Sequence, residues 1–264
     1  INESISAPYI KTGIKPKIAI LREQGINGHV EMAAAFSQAG FDAYDVHMSE
    51  ILSVNKSLKH FQGLAACGGF SYGDVLGAGR GWANSILLNS KAKNELSEYF
   101  SRTDSFTLGV CNGCQMLSNL KDIIPEADNW PSFVKNRSDQ FEARLVQVEI
   151  NKSNSVLLNS MDGWQVPIAS AHGEGRASFA NKGQIASLGA SHQIAMKYVD
   201  SHGQATEQYP LNPNGSIDGL TGITAAEGRV TIMMPHPERV FRAAQFSWKP
   251  DTWKDFSPWM QMFI

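Results

Sequence analysis

The chain has 264 residues, 42% of them apolar and 18% charged, a balance that suits a folded globular chain and excludes disorder. Net charge is −2 with no cluster of Lys and Arg, which excludes a nucleic-acid footprint, and no run of about 18 apolar residues offers a membrane span. Three cysteines make no disulfide framework and the N-terminus has no signal-peptide pattern, so a reducing cytoplasm is the expected compartment.

Residues 1–16 are polar and carry Pro8, Gly13 and Pro16, and they read as a linker arriving from upstream. The domain proper is expected over 17–264. With no start methionine, the chain is expected to be a piece of something longer. Residues 17–21 predict a buried strand and residues 29–39 a helix, with Val30, Ala33, Ala34 and Phe36 on its apolar side and Gly40 closing it. A second strand is expected over 41–47 and a helix over 51–61. The third strand, 63–67, runs into a segment with five glycines between Gly68 and Gly79. That segment lacks the Walker lysine and the dinucleotide spacing, so it predicts a loop bringing backbone N–H groups to a ligand. Residues 82–100 predict helix with a break near Asn89. Residues 106–110 predict a strand, and Met116, Leu117 and Leu120 one face of a helix. Further strands are expected over 144–150, 166–171, 194–199 and 229–234, with turn chemistry at 212–215.

Strands alternating with helices predict an α/β fold, an open, mostly parallel sheet with helices on both faces. Ligands of such sheets bind beyond the carboxyl ends of the strands. The Gly68-Gly69 loop and Cys111 both fall at such ends.

Gly109-Val110-Cys111-Asn112-Gly113 is the cysteine counterpart of the Gly-x-Ser-x-Gly nucleophile elbow. The flanking glycines allow close backbone approach, and the following helix N-terminus lowers a thiol pKa and leaves N–H groups free. A nucleophilic thiol needs a base and a group to orient that base. Pro237 holds His236 extended, so His236 and Glu238 point to the same side, as a Cys-His-Glu triad requires. The plainer alternative is a rigid Pro-His-Pro turn. His172 and Glu174, between Gly173 and Gly175, suit a substrate loop or a simple turn. Cys111-x-x-Cys114 also fits a redox pair, and Cys67, Cys111, Cys114 and His236 a zinc site without the usual second Cys-x-x-Cys. His29, His47, His60, His192 and His202 read as structural or exposed.

Gly-Val-Cys-Asn-Gly-Cys-Gln-Met-Leu, Gly-Gly-Phe-Ser-Tyr-Gly-Asp, His-Gly-Glu-Gly-Arg and Pro-His-Pro-Glu-Arg together resemble the class I (triad) glutamine amidotransferase domain of the phosphoribosylformylglycinamidine synthases, in their large single-chain bacterial form. Arg80 departs from that family's acidic residue between Gly79 and Gly81. The resemblance implies a flavodoxin-like class I architecture and hydrolysis of glutamine to glutamate and ammonia. The ammonia would serve ATP-dependent conversion of formylglycinamide ribonucleotide to formylglycinamidine ribonucleotide in purine synthesis. By position, it implies Cys111 as nucleophile, His236 as acid/base and Glu238 as orienting acid. An oxyanion hole is expected from the backbone at Gly69 and Asn112, and substrate contacts from Gln115, His172 and Glu174. It implies no cofactor or metal in this domain, with ATP and magnesium in upstream synthetase domains of the same polypeptide as partners. A peptidase or glyoxalase elbow would favour His after the cysteine, where Asn112 stands.

Overall fold

The computed structural model describes residue 13 and residues 15–53, 55–74 and 77–264. The linker expectation for 1–16 lies almost wholly outside them. The strands are, in chain order, β1 (Lys17–Arg22), β2 (Asp42–His47), β3 (Gly63–Ala66), β4 (Phe106–Val110), β5 (Ser132–Val134), β6 (Glu142–Ile150), β7 (Gln165–His172), β8 (Arg176–Ser178), β9 (Ile194–Tyr198), β10 (Leu220–Ala225) and β11 (Val230–Met233). The helices are α1 (His29–Ala39), α2 (Met48–Leu52), α3 (Arg80–Leu87), α4 (Ser90–Ser101), α5 (Asn112–Ser118) and α6 (Lys182–Ala190).

Nine strands form one sheet in the order β2-β1-β3-β4-β11-β10-β9-β6-β7, and β5 pairs with β8 separately. The pairings from β2 to β11 are parallel. The pairings from β11 to β7 are antiparallel, so only β10 and β6 run against the rest. The expected α/β class and mostly parallel sheet are present, extended by an antiparallel half. β3 and β4, buried along nearly their whole length, sit in the parallel half, whereas β7 alternates buried and half-buried residues.

The antiparallel half curls back over the sheet edge. Although β7 lies at the far edge, Ala169 O accepts from His236 N at 2.8 Å, just past the end of β11. Trp259 Nε1 fastens the same strand by donating to Pro167 O at 2.7 Å. Carboxyl ends of strands from both halves thereby meet at one place.

Several local expectations change. The buried face of α1 is Met32, Ala35, Phe36 and Ala39, an i, i+3, i+4, i+7 stripe, while Val30 is 65% exposed. Gly40 ends that helix at φ 103°, as expected. The helix expected over 51–61 is instead α2, ending at Leu52, and a single 3₁₀ turn, Leu58–His60. His47 caps α2, its ring accepting from Ser49 N while Glu50 accepts from His47 N. The break near Asn89 is present, and Asn89 caps α4 with its side-chain oxygen. The sequence reading missed β5, β8, β10 and α6. No helix among the described residues is long and apolar enough to cross a membrane.

Candidate active site

β4 ends at Val110 and α5 begins at Asn112, so Cys111 alone makes the turn. Its φ is 52° and its ψ −108°, a costly conformation for a residue with a side chain. The surroundings hold it there. Cys111 N donates to Met233 O at 2.9 Å, and Cys111 O accepts from Gln115 N at 2.9 Å. Both flanking glycines are required by contact. A Cβ on Gly113 would fall on the Ala66 carbonyl, and one on Gly109 would meet Leu117 Cδ1 at 2.5 Å. As the first residue of α5, Asn112 has an N–H with no intrahelical acceptor.

His236 is extended, at φ −107° and ψ 90°, as its flanking prolines dictate. Its Nδ1 lies 2.6 Å from Glu238 Oε1, and the two side chains are 1% and 0% exposed. Nδ1 therefore donates to the carboxylate, and Nε2 is left without a hydrogen-bond partner among the described residues. Burial alone would lower the His236 pKa. The negative charge of Glu238 and the Cys111 sulfur outweigh it and raise the value to about 10.

Gly68 shows how near the base and thiol lie. A Cβ there would stand 2.7 Å from His236 Cε1 and 3.2 Å from Cys111 Cβ. The next residue, Gly69, has φ 152°, and a Cβ on it would stand 2.6 Å from Ile26 Cα. The 25–27 strand segment bridges this loop through Asn27 N to Gly68 O and Phe70 N to Gly25 O, which leaves the Gly69 N–H outside the pairing.

These groups border a cavity of about 210 Å³. Cys111, His236, Gly69, Gln115, His172 and Glu174 all line it. The sequence reading missed Asn27, Phe70, Phe141 and Arg239, which also line it. Arg239 stood in the Pro-His-Pro-Glu-Arg motif, so the signal was there. Phe70 and Phe141 face each other at 6.0 Å across the rim, and nothing in either local pattern foretold it.

The three expected substrate contacts differ. Gln115 accepts from Asn112 Nδ2 at 2.9 Å and donates to the Glu174 carbonyl. The Glu174 carboxylate accepts from Ala78 N. His172 lines the cavity with its ring nitrogens already engaged. Its Nδ1 meets Ser170 Oγ at 3.2 Å and its Nε2 meets Asn214 Nδ2 at 3.0 Å, so neither ring nitrogen is open to a ligand. Burial, helped by the charge on His236, pushes its pKa down to about 3 and keeps the ring neutral. Cys67 and Cys114 are fully buried thiols held protonated by that burial, unlike the thiolates that redox pairs and metal sites use.

A strained cysteine at a helix start, beside a carboxylate-bound imidazole, can attack a carbonyl and return a proton to a leaving group. Among solved structures, PurLQS from Thermotoga maritima superposes with a TM-score of 0.68 at 23% identity, covering 88% of this chain and 92% of that one. A protein described as a GMP synthase component, from Thermoplasma acidophilum, gives 0.52 at 13% identity over 95% and 91%. A glutamine amidotransferase from Thermotoga maritima gives 0.50 at 14% identity over 85% and 77%. At these identities the likenesses show the fold. The profile of the CobB/CobQ-like glutamine amidotransferase domain matches residues 15–264, and the chain belongs to that family.

Proposed function

We propose that this chain is the glutaminase portion of a phosphoribosylformylglycinamidine synthase, and that it works through Cys111, His236 and Glu238. The observation that carries the reading is Cys111 on a strained elbow, packed against the same glycine as an imidazole whose far nitrogen is bound to Glu238.

A raised His236 pKa favours a resting imidazolium. The thiolate attacks the carboxamide carbon of glutamine, and the N–H groups of Gly69 and Asn112 receive the oxyanion. His236 gives its Nε2 proton to the departing ammonia. It then takes a proton from water as that water attacks the thioester, which releases glutamate and the thiolate. Glu238 keeps Nδ1 protonated and the ring aimed. Gln115 and Glu174 meet the substrate from the opposite wall. No step needs a cofactor or metal in this domain.

The ammonia is proposed to pass to synthetase domains of the same polypeptide, in the cytoplasm, where ATP and magnesium drive its incorporation into formylglycinamide ribonucleotide. The family membership and the likeness to the PurLQS structure support this destination. The test is glutamate release from glutamine, by the chain alone and with the synthetase part, ATP and the ribonucleotide. Release that is lost on Cys111→Ala, and amidine formation from glutamine in the assembly, are expected. Unimpaired glutamate release in Cys111→Ala would overturn the reading.

A further inference from the structure

Residues 171–174 line the cavity, the Ala171 carbonyl lying 3.6 Å from Cys111 Sγ, and two buried asparagines from distant segments hold the 172–175 turn that follows. Asn136 makes three bonds to it. Its backbone N–H donates to Gly173 O at 2.9 Å, its Nδ2 to His172 O at 2.8 Å, and its Oδ1 accepts from Gly175 N at 3.0 Å. Asn214 donates through Nδ2 to Gly175 O at 2.8 Å and to His172 Nε2 at 3.0 Å.

The orientation of the Asn214 amide is settled by its other end. Oδ1 accepts from Ser216 N at 3.0 Å and from Ser216 Oγ at 2.7 Å, so Nδ2 must face the turn. His172 Nε2 is then the unprotonated nitrogen, and its Nδ1–H points to Ser170. The two asparagines are themselves tied together, Arg137 N donating to Asn214 O at 3.1 Å. Neither asparagine nor the His172 ring bonds Cys111, whose Sγ meets the wall only at Ala171 O, 3.6 Å away and ahead of the clamped residues. These groups fix a peptide turn whose residues touch the ligand space.

We infer that Asn136 and Asn214 are positioning residues that clamp the 172–175 turn in its binding conformation, and so set the affinity for substrate rather than the rate of the chemical steps. The inference rests on the reading of the cavity as a glutamine site. A turn free to move must be ordered by each incoming substrate, at a cost in binding of about tenfold in all.

The test compares Asn136→Ala and Asn214→Asp with the unsubstituted chain. Asn214→Asp keeps the size of the side chain and the bonds from Ser216 while replacing the donor, so it carries the test if Asn136→Ala does not fold. Three readouts are taken: steady-state glutaminase kinetics, the rate of Cys111 alkylation by iodoacetamide, and amide hydrogen exchange over residues 172–176. Expected are a KM raised about tenfold, kcat and alkylation within about threefold, and exchange in the turn at least about tenfold faster. Unchanged KM with unchanged exchange would overturn the clamp. So would KM, kcat and alkylation worsening together, as general loosening of the fold would produce. If the unsubstituted chain releases no glutamate, the glutamine reading is what fails, and the exchange rates alone still decide whether the asparagines hold the turn.

Discussion

In the parallel half of the sheet, strand ends deliver groups that are unsatisfied or strained. β4 leads into Cys111 at a positive φ, β3 into Gly68 and a Gly69 N–H outside the backbone pairing, and β11 into the segment carrying His236, whose Nε2 has no hydrogen-bond partner among the described residues. In the antiparallel half the polar groups beside the cavity are satisfied. His172 is bonded at both ring nitrogens, Asn136 spends its side-chain amide on backbone, and Asn214 divides its own among backbone, the His172 ring and Ser216. Reactive groups need unused bonding capacity, whereas a binding wall needs fixed shape. The contrast teaches that the antiparallel extension serves the site by bringing a rigid wall to a reaction edge built by the parallel strands.

The comparison breaks most sharply at the nucleophile. Cys111→Ala should reduce glutamine-dependent activity to background while synthesis from free ammonia persists in the assembly with the synthetase. Loss of both would make Cys111 structural and remove the reaction edge from the parallel half.

Next come the base and its partner. His236→Ala should lower the rate by about 10²–10⁴-fold. Glu238→Gln should cost less, and it should also move a pH limit. In the parent, burial of His236 lowers its pKa but the Glu238 charge, with Cys111, outweighs that and holds the pKa well above the usual imidazole value. Without that charge the proton leaves at lower pH, so the alkaline limb of the rate profile should shift toward neutrality. A rate profile from pH 6 to 10 checks this, and an unmoved limb would mean that Glu238 does not tune the imidazole.

Gly68→Ala should follow. The added Cβ would stand 2.7 Å from His236 Cε1, so the ring must move away from the thiol. A displacement of about 1 Å costs about 10²-fold, which should appear in kcat with KM little changed. The KM-only change expected at Asn136 is the complementary result from the other half, and a kcat effect there would blur the division.

The smallest effect on activity is expected at Cys114, buried behind the elbow. Cys114→Ser places a hydroxyl in an apolar setting and should cost about 1–3 kcal/mol of stability, read as a lowered Tm, with glutaminase activity substantially kept. Complete loss of activity in a folded protein would revive the redox pairing of Cys111 and Cys114.

The amino-acid sequence by itself determined the chemistry-bearing positions, because each depends on local covalent rules. Gly109 and Gly113 bracket Cys111 at the spacing of a strand-to-helix elbow, legible from the local sequence alone. Pro237 sets the backbone of His236, and the i, i+2 spacing brings Glu238 to the same ring. Uninterrupted apolar runs likewise marked the parallel strands. What only the tertiary structure decided depends on contacts between residues far apart in the chain. The curl that puts Ala169 against His236, the bonds that Asn136 and Asn214 make to the 172–175 turn, and the pairing of Phe70 with Phe141 leave no periodic trace. The role of His172 belongs to the same class. A histidine between a strand and a glycine reads as a ligand group, and it becomes a neutral, buried support only because Ser170 and Asn214, one near and one distant in the chain, take both of its nitrogens.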